Sequence, residues 1–368
     1  MVIMIRTMTT RWTLFVPVLA ALVLAVSWGR DIPGVVVVVV SAALVGAVLA
    51  AVQHAETVAH RVGEPFGSLL LAVAVTVIEV ALIVTMMISG GEKTASLARD
   101  TVFAAVMITC NGIFGLVLLV GALRRRIAVF NAEGTGAALA TVATLSTLSL
   151  VLPTFTTSKP GPEFSPAQLA FAAVASLLLY GLFVMVQTVR HRDDFLPVEG
   201  DGAVDDEDGG DGHGVPTARQ ALVSLALLLL ALVCVVGLAK VVSPALEDGI
   251  AAVGLPPSAV GVVIAMLVLL PETLAAVNAA RRDQVQIGLN LSLGSAMASI
   301  GLTIPAIAVA SIWLDGPLVL GLGATQMVLL ALTMLVGVLT VVPGRATLLQ
   351  SGVHLVLFGS FVFLAASP

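Results

Sequence analysis

Charge is scarce in this chain. Asp, Glu, Lys and Arg make up 11% of its 368 residues against 59% hydrophobic, and the mean hydropathy is +1.11. A soluble domain of that composition would aggregate, which leaves a polytopic membrane protein. Cysteine is rarer still. Cys110 and Cys234 each fall inside an apolar segment, which excludes a disulfide framework and a cysteine-based metal site and reads both as small core residues. A nucleophile with a partner base and a cluster of metal-ligating side chains are also missing, so a membrane enzyme has no support. No small-x-small cleavage site precedes Trp28-Gly29-Arg30, so the first apolar segment reads as a span rather than a cleaved leader. No cofactor and no nucleic-acid partner are expected.

What the chain does have is a series of apolar runs. A span needs about 20 residues at about 1.5 Å rise each. Eleven runs qualify, near 13–29, 34–53, 67–89, 101–123, 136–156, 167–189, 219–242, 258–280, 287–311, 317–342 and 348–366. The expected fold is therefore all-α with about 11 transmembrane helices. Pro153, Pro271 and Pro305 predict that some of these are kinked or broken.

The basic residues test the count. With eleven spans, Arg6, Arg11, Arg61, Arg124, Arg125, Arg126, Arg190, Arg192, Arg219, Arg281, Arg282 and Arg345 fall on one side. Only Arg30, Lys93, Arg99, Lys159 and Lys240 fall on the other. Short cytoplasmic loops collect Lys and Arg, so the asymmetry predicts a cytoplasmic membrane protein with its N-terminus inside and its C-terminus outside.

Between the sixth and seventh spans, Asp193-Asp194-Phe195-Leu196-Pro197 leads into an Asp-, Glu- and Gly-rich run from Glu199 to Gly214. That run has too few apolar residues to fold alone, and it lacks the spacing and closing Glu of an EF-hand, so it reads as a solvated cytoplasmic linker. It divides the chain into residues 1–33, an extra N-terminal helix; 34–190, a first repeat; 191–218, the linker; and 219–368, a second repeat. Five spans per repeat is odd, so the halves are expected to be inverted, with sites near the midplane.

Each half carries a glutamate within a long apolar run, Glu79 in the third span and Glu272 in the eighth. An acid at the bilayer centre costs about 2.5–3.5 kcal/mol on insertion scales, which points to a functional use, the binding of cations. The next span in each half adds a neutral polar residue, Asn111 in one and Ser295 in the other. Two carboxylates with amide, hydroxyl and freed backbone oxygens suit hard cations. Pro271, next to Glu272, removes one backbone donor, whereas Glu79 has only Thr76 as a polar neighbour one turn earlier. Protonated glutamates that merely bridge helices are the structural alternative, and Asn111 and Ser295 fit ligation or helix bridging equally. Gly112, Gly115, Gly294 and Gly301 read as packing positions. Arg124-Arg125-Arg126 and Arg281-Arg282 read as interfacial anchors with lipid-headgroup contact second. His54 and His60 are placed beside the loop before the third span, and Glu64-Pro65 is read as a helix start.

Several stretches resemble one family. Gly63-Glu64-Pro65-Phe66-Gly67-Ser68, Val75-Thr76-Val77-Ile78-Glu79-Val80, Asn111-Gly112-Ile113-Phe114-Gly115 and Phe130-Asn131-Ala132-Glu133-Gly134 carry the likeness in the first half. Leu269-Leu270-Pro271-Glu272 and Asn290-Leu291-Ser292-Leu293-Gly294-Ser295-Ala296 carry it in the second. The chain is similar to the bacterial calcium/proton antiporters of the cation/calcium exchanger superfamily, including those credited with sodium/proton and potassium/proton exchange. The resemblance implies inverted five-helix repeats, alternating access, and Glu79 and Glu272 as the paired acids of the ion site. The glycine-asparagine-alanine stretch before the acid in many such exchangers is replaced here by Val75-Thr76-Val77 and Val268-Leu269-Leu270, and Ala298 stands where a glutamine is often found. The expected activity is export of Ca²⁺, with Na⁺ or K⁺ as further candidates, against protons at one midplane site. Its partners are those ions and the lipid bilayer. A passive cation channel lined by the same glutamates is the alternative.

Overall fold

The computed structural model describes residues 12–30, 33–63, 66–90, 95–198, 216–256, 258–313 and 316–367. The run Glu199–Gly214, the Glu64-Pro65 step, Arg6, Arg11 and Lys93 lie outside the described residues.

Backbone polar groups have no partner in lipid, so an apolar stretch that crosses it must satisfy them within itself as a helix. The described helices follow that rule: α1 (Trp12–Ser27), α2 (Gly34–Val62), α3 (Phe66–Gly90), α4 (Leu97–Arg125), α5 (Ala132–Phe155), α6 (Pro166–Arg190), α7 (Ala218–Ala252), α8, α9 (Val285–Ala310), α10 (Ala324–Val341) and α11 (Leu348–Ala366). Helix α8 comes in two pieces, Ala259–Val268 and Leu270–Arg281, bent by 52°. Among the described residues, eight helices are long and apolar enough to cross a membrane, the α8 pair makes a ninth, and α1 and the Ala72–Ile88 part of α3 are shorter apolar helices. The protein is an all-α, polytopic membrane protein.

Local chemistry sets several starts. Ser165-x-x-Gln168, Thr217-x-x-Gln220 and Thr347-x-x-Gln350 each form a reciprocal capping box at the head of α6, α7 and α11. Asn131 caps α5 by accepting from the backbone N–H of Glu133 and Gly134.

Some sequence expectations need correction. Helix α2 runs on to Val62, so His54 and His60 are helical rather than beside a loop, and buried His54 bonds the Thr13 carbonyl at 3.0 Å. Helix α7 continues ten residues past the expected end at 242. Residues 317–323 are irregular rather than helical, because Pro317, Gly321 and Gly323 disfavour a helix. Their backbone is satisfied elsewhere: Val319, Gly321 and Leu322 donate to the carbonyls of Ala95, Pro162 and Leu150. Of the prolines expected to kink or break a helix, Pro305 lies inside the single helical stretch Val285–Ala310.

The helices gather into two compact units, one of residues 1–90 with 207–254 and one of 91–206 with 255–368. In the first, α7 packs along α2 and against α1 and α3. Cys234 reaches the Pro17 carbonyl, and Lys240 lies over the Trp28 ring at 5.4 Å. In the second, α9 packs against α4, α5, α6 and α8, and α11 lies on α4.

The second unit also sorts its connections by end. At one end, Arg124 bonds Asp283, Ala128 pairs with Ala346 in a short antiparallel ladder of Ala128–Val129 and Arg345–Ala346, and Asn290 donates to the Phe195 carbonyl. At the opposite end lie the contacts of 319–322 with Ala95, Leu150 and Pro162.

Candidate functional site

The two glutamates belong to different units. Glu79 lies on α3 in the first unit and is 4% exposed. Its neighbour one turn back, Thr76, donates its hydroxyl to the Ala72 carbonyl at 2.8 Å.

Glu272, Ser295 and Asn111 belong to the second unit, whose helices bring their segments together. The later half of α8 packs on α9, and both touch the turn of α4 that carries Asn111. Gly288 makes this approach possible, since a Cβ there would sit 2.9 Å from both the Ala276 carbonyl oxygen and Val117. Glu272 stands in the first turn of Leu270–Arg281, directly after the bend. Pro271 cannot donate to the Leu267 carbonyl, so the earlier half of α8 ends with a freed oxygen. The head of the later half favours a negative side chain through its dipole. The break that Pro271 predicted therefore places Glu272 at the head of a half-helix, just after the carbonyl that Pro271 cannot serve.

Asn111 is fully buried and sits in a π-helical turn, Ile108–Ile113, within α4. Its Nδ2 donates to Thr333 Oγ1 at 2.9 Å and faces Met107 Sδ at 3.9 Å, and its Oδ1 lies 3.3 Å from His354 Nδ1. The same turn is tied to α9 by Ser292, which donates to the Thr109 carbonyl at 2.7 Å. Ser295, one turn beyond Ser292, is half-buried. Of the two neutral residues, Asn111 is held on both sides of its amide, while no side-chain hydrogen bond engages Ser295 among the described residues.

The glycines divide likewise. A Cβ at Gly112, Gly115 or Gly301 would meet Phe358, His354 or Tyr180 within 3.3 Å, so these are close-packing positions as expected. A Cβ at Gly294 would meet nothing within 4 Å. The arginines are more than anchors, since Arg124 and Arg125 both bond Asp283.

Sequence reasoning missed three groups. His354, 1% exposed on α11, bonds Asn111 and Thr340 and lies against the Phe114 ring at 4.9 Å. A lone imidazole inside the apolar run 348–366 was the available signal. Asp100, 3% exposed, is closed by Arg99 at 2.8 Å and Ser96 at 2.8 Å. Gln286 joins Asn131, Thr135 and Asn290 into a buried polar knot.

The family model of sodium/calcium exchanger proteins matches residues 32–189 and 223–366. The putative ionic transporter y4hA of Sinorhizobium fredii is 46% identical over 361 residues, covering 97% of this chain and 96% of its own. The sodium-potassium/proton antiporter ChaA of Escherichia coli is 32% identical over 363 residues, covering 97% of each. Among solved structures, the H⁺/Ca²⁺ exchanger CAX superposes with a TM-score of 0.68 at 15% identity, over 96% of this chain and 89% of that one, a likeness of fold. With a family match across both halves and two transporters aligned along nearly its whole length, this chain belongs to the sodium/calcium exchanger family.

Proposed function

We propose that this chain is a secondary active antiporter that exports a cation in exchange for protons, with Glu79 and Glu272 as the coupling acids. The observation that carries this reading is the broken α8, bent by 52°, where Glu272 opens a half-helix directly after Pro271, which has no N–H to give the preceding half. Discontinuous helices of this kind hold ions in secondary transporters, with half-helix ends supplying the fixed partial charges. Asn111 and Ser295 act as neutral oxygen donors alongside the acids. Residues 34–190 and 219–368 are the inverted repeats, preceded by the extra helix of residues 1–33 and joined by the cytoplasmic linker 191–218.

Coupling follows from mutual exclusion. Carboxylates in a low dielectric resist ionising without a compensating charge, so they hold either a cation or protons. One Ca²⁺ against two protons, or one Na⁺ against one proton, moves no net charge. Unequal counts would be driven by about 2.3 kcal/mol per charge per 100 mV. The name of ChaA supports Na⁺ and K⁺ and that of CAX supports Ca²⁺, and the oxygen-only donor set suits all three. The basic-residue asymmetry supports a cytoplasmic membrane with the N-terminus inside, where the inward proton gradient drives cation efflux.

The test is reconstitution into vesicles holding a pH dye, with Ca²⁺, Na⁺ and K⁺ added in turn. Saturable, cation-dependent proton release that is lost in Glu79→Gln and Glu272→Gln supports the antiporter. Non-saturating cation flux without proton movement identifies a passive channel instead, and full exchange in either variant removes that glutamate from the mechanism.

A further inference from the structure

Four side chains on three spans form one continuous hydrogen-bond chain inside the second unit. Thr340 Oγ1 lies 3.1 Å from His354 Nε2, and His354 Nδ1 lies 3.3 Å from Asn111 Oδ1. Asn111 Nδ2 lies 2.9 Å from Thr333 Oγ1, and the Thr333 hydroxyl faces Met107 Sδ at 3.6 Å. Asn111, His354, Thr333 and Thr340 are each no more than 1% exposed, so none can exchange a partner for water. An imidazole with one N–H has one donor and one acceptor; Thr340 faces Nε2 and Asn111 faces Nδ1, and the backbone of Cys110, next to Asn111, is a further hydrogen-bond partner of the ring. With Thr340 donating to Nε2, the Nδ1–H donates to Asn111 Oδ1, and the amide NH₂ must face Thr333. Turning the amide over would demand the other imidazole tautomer and reverse every bond in the chain. His354 and Asn111 are thus locked: the ring's tautomer decides which atom of the amide points where.

We propose that His354 is a positioning residue for cation binding, acting through Asn111. By holding Oδ1 in place, it leaves one oxygen lone pair set for a cation and keeps the amide NH₂, which would repel one, turned to Thr333. Gly115 serves the same end, since a Cβ there would lie 3.1 Å from the His354 Cβ. The proposal rests on the reading of Asn111 as a neutral donor to the cation.

The experiment measures cation-dependent proton release in proteoliposomes as a function of cation concentration, so that the apparent KM and the maximal rate are separated. His354→Leu is expected to raise the KM about tenfold with the maximal rate per folded protein within about twofold, the signature of lost binding rather than lost structure. His354→Gln, whose amide can both donate and accept, is expected to restore most of the affinity, and Thr340→Val to lose part of it. In an Asn111→Ala background, His354→Leu is expected to add nothing further. A KM in His354→Leu within twofold of wild type overturns the proposal, as do KM increases in the two single variants that multiply in the double. If His354→Leu does not fold, Thr340→Val and His354→Gln decide: a wild-type KM in the first, or no retained affinity in the second, overturns it. If Asn111→Ala itself leaves the KM unchanged, the reading of Asn111 as a donor has failed, and His354 loses the residue it acts through.

Discussion

The Asp283 carboxylate accepts from Arg124 Nε at 3.0 Å and from its terminal Nη2 at 3.3 Å, tying the end of α4 to the end of α8. Arg125 adds a second ion pair at 3.4 Å. The bond from Arg124 holds the Asp283 carboxyl below its usual range, with a smaller opposing push from desolvation and further lowering by Arg125. A depressed carboxyl stabilises the fold above its unfolded value, near about 3.9, and that contribution disappears as pH falls through the folded value. Asp283 also has φ +65°, a conformation that Asn tolerates, so Asp283→Asn removes the charge without adding strain.

Asp283→Asn is therefore expected to lower the thermal midpoint at pH 7 only slightly. The pair is partly exposed and worth about 0.2–1 kcal/mol. Wild type and variant are expected to coincide at a pH well below the carboxylate range. Thermal unfolding in detergent across pH checks both.

Pro271→Ala is expected to return a donor to the Leu267 carbonyl and straighten α8. Stability should rise or hold, while cation-dependent proton release should fall by about tenfold or more, as expected when a precisely held ligand set is disturbed. A melting curve paired with a transport assay separates the two effects.

Ser292→Ala is expected to cost about 0.5–1.5 kcal/mol, because the buried Thr109 carbonyl of the π-turn loses one donor and keeps the backbone N–H of Phe114. Ser292→Cys, with a weak donor of similar size, should recover part of this, as read by thermal unfolding.

Gly134 and Gly294 should respond in opposite ways to alanine. A Cβ at Gly134 would fall 2.1 Å from the Asp194 carbonyl oxygen, so Gly134→Ala should destabilise by about 1–3 kcal/mol and free residues 192–198 to a protease. Gly294→Ala meets nothing within 4 Å and should leave the melting midpoint unchanged or raised, since Ala is the better helix former. A raised cation KM in that variant would mark its face of α9 as the one that serves the ion.

The spans were readable because an apolar run of about 20 residues has few alternatives in a membrane, and the bend of α8 was readable because Pro271 has a defined local effect. Residues 317–323 were misread for a related reason: hydropathy counts Leu318, Val319, Leu320 and Leu322 as span residues, although their backbone bonds lie far off in the chain at Ala95, Leu150 and Pro162. The same distance hid His354, whose partners Asn111 and Thr340 lie 243 and 14 residues away. The π-turn around Asn111 has no proline or glycine pair to announce it and follows from packing against α9, α10 and α11. Pairs such as Arg124 with Asp283 were hidden because each charge alone reads as an ordinary loop residue.

Helix α7 has 35 residues, about 52 Å of length at about 1.5 Å per residue, against about 30 Å of hydrocarbon. It must tilt or carry its last turns, with Lys240 and Asp248, beyond the acyl chains. Because α7 is packed along α2 and holds α1 through Cys234 and Lys240, any tilt is shared by the whole first unit, including the helix that bears Glu79. Membrane thickness thereby becomes a mechanical variable for that glutamate's surroundings, set by the acyl-chain length of the host lipid.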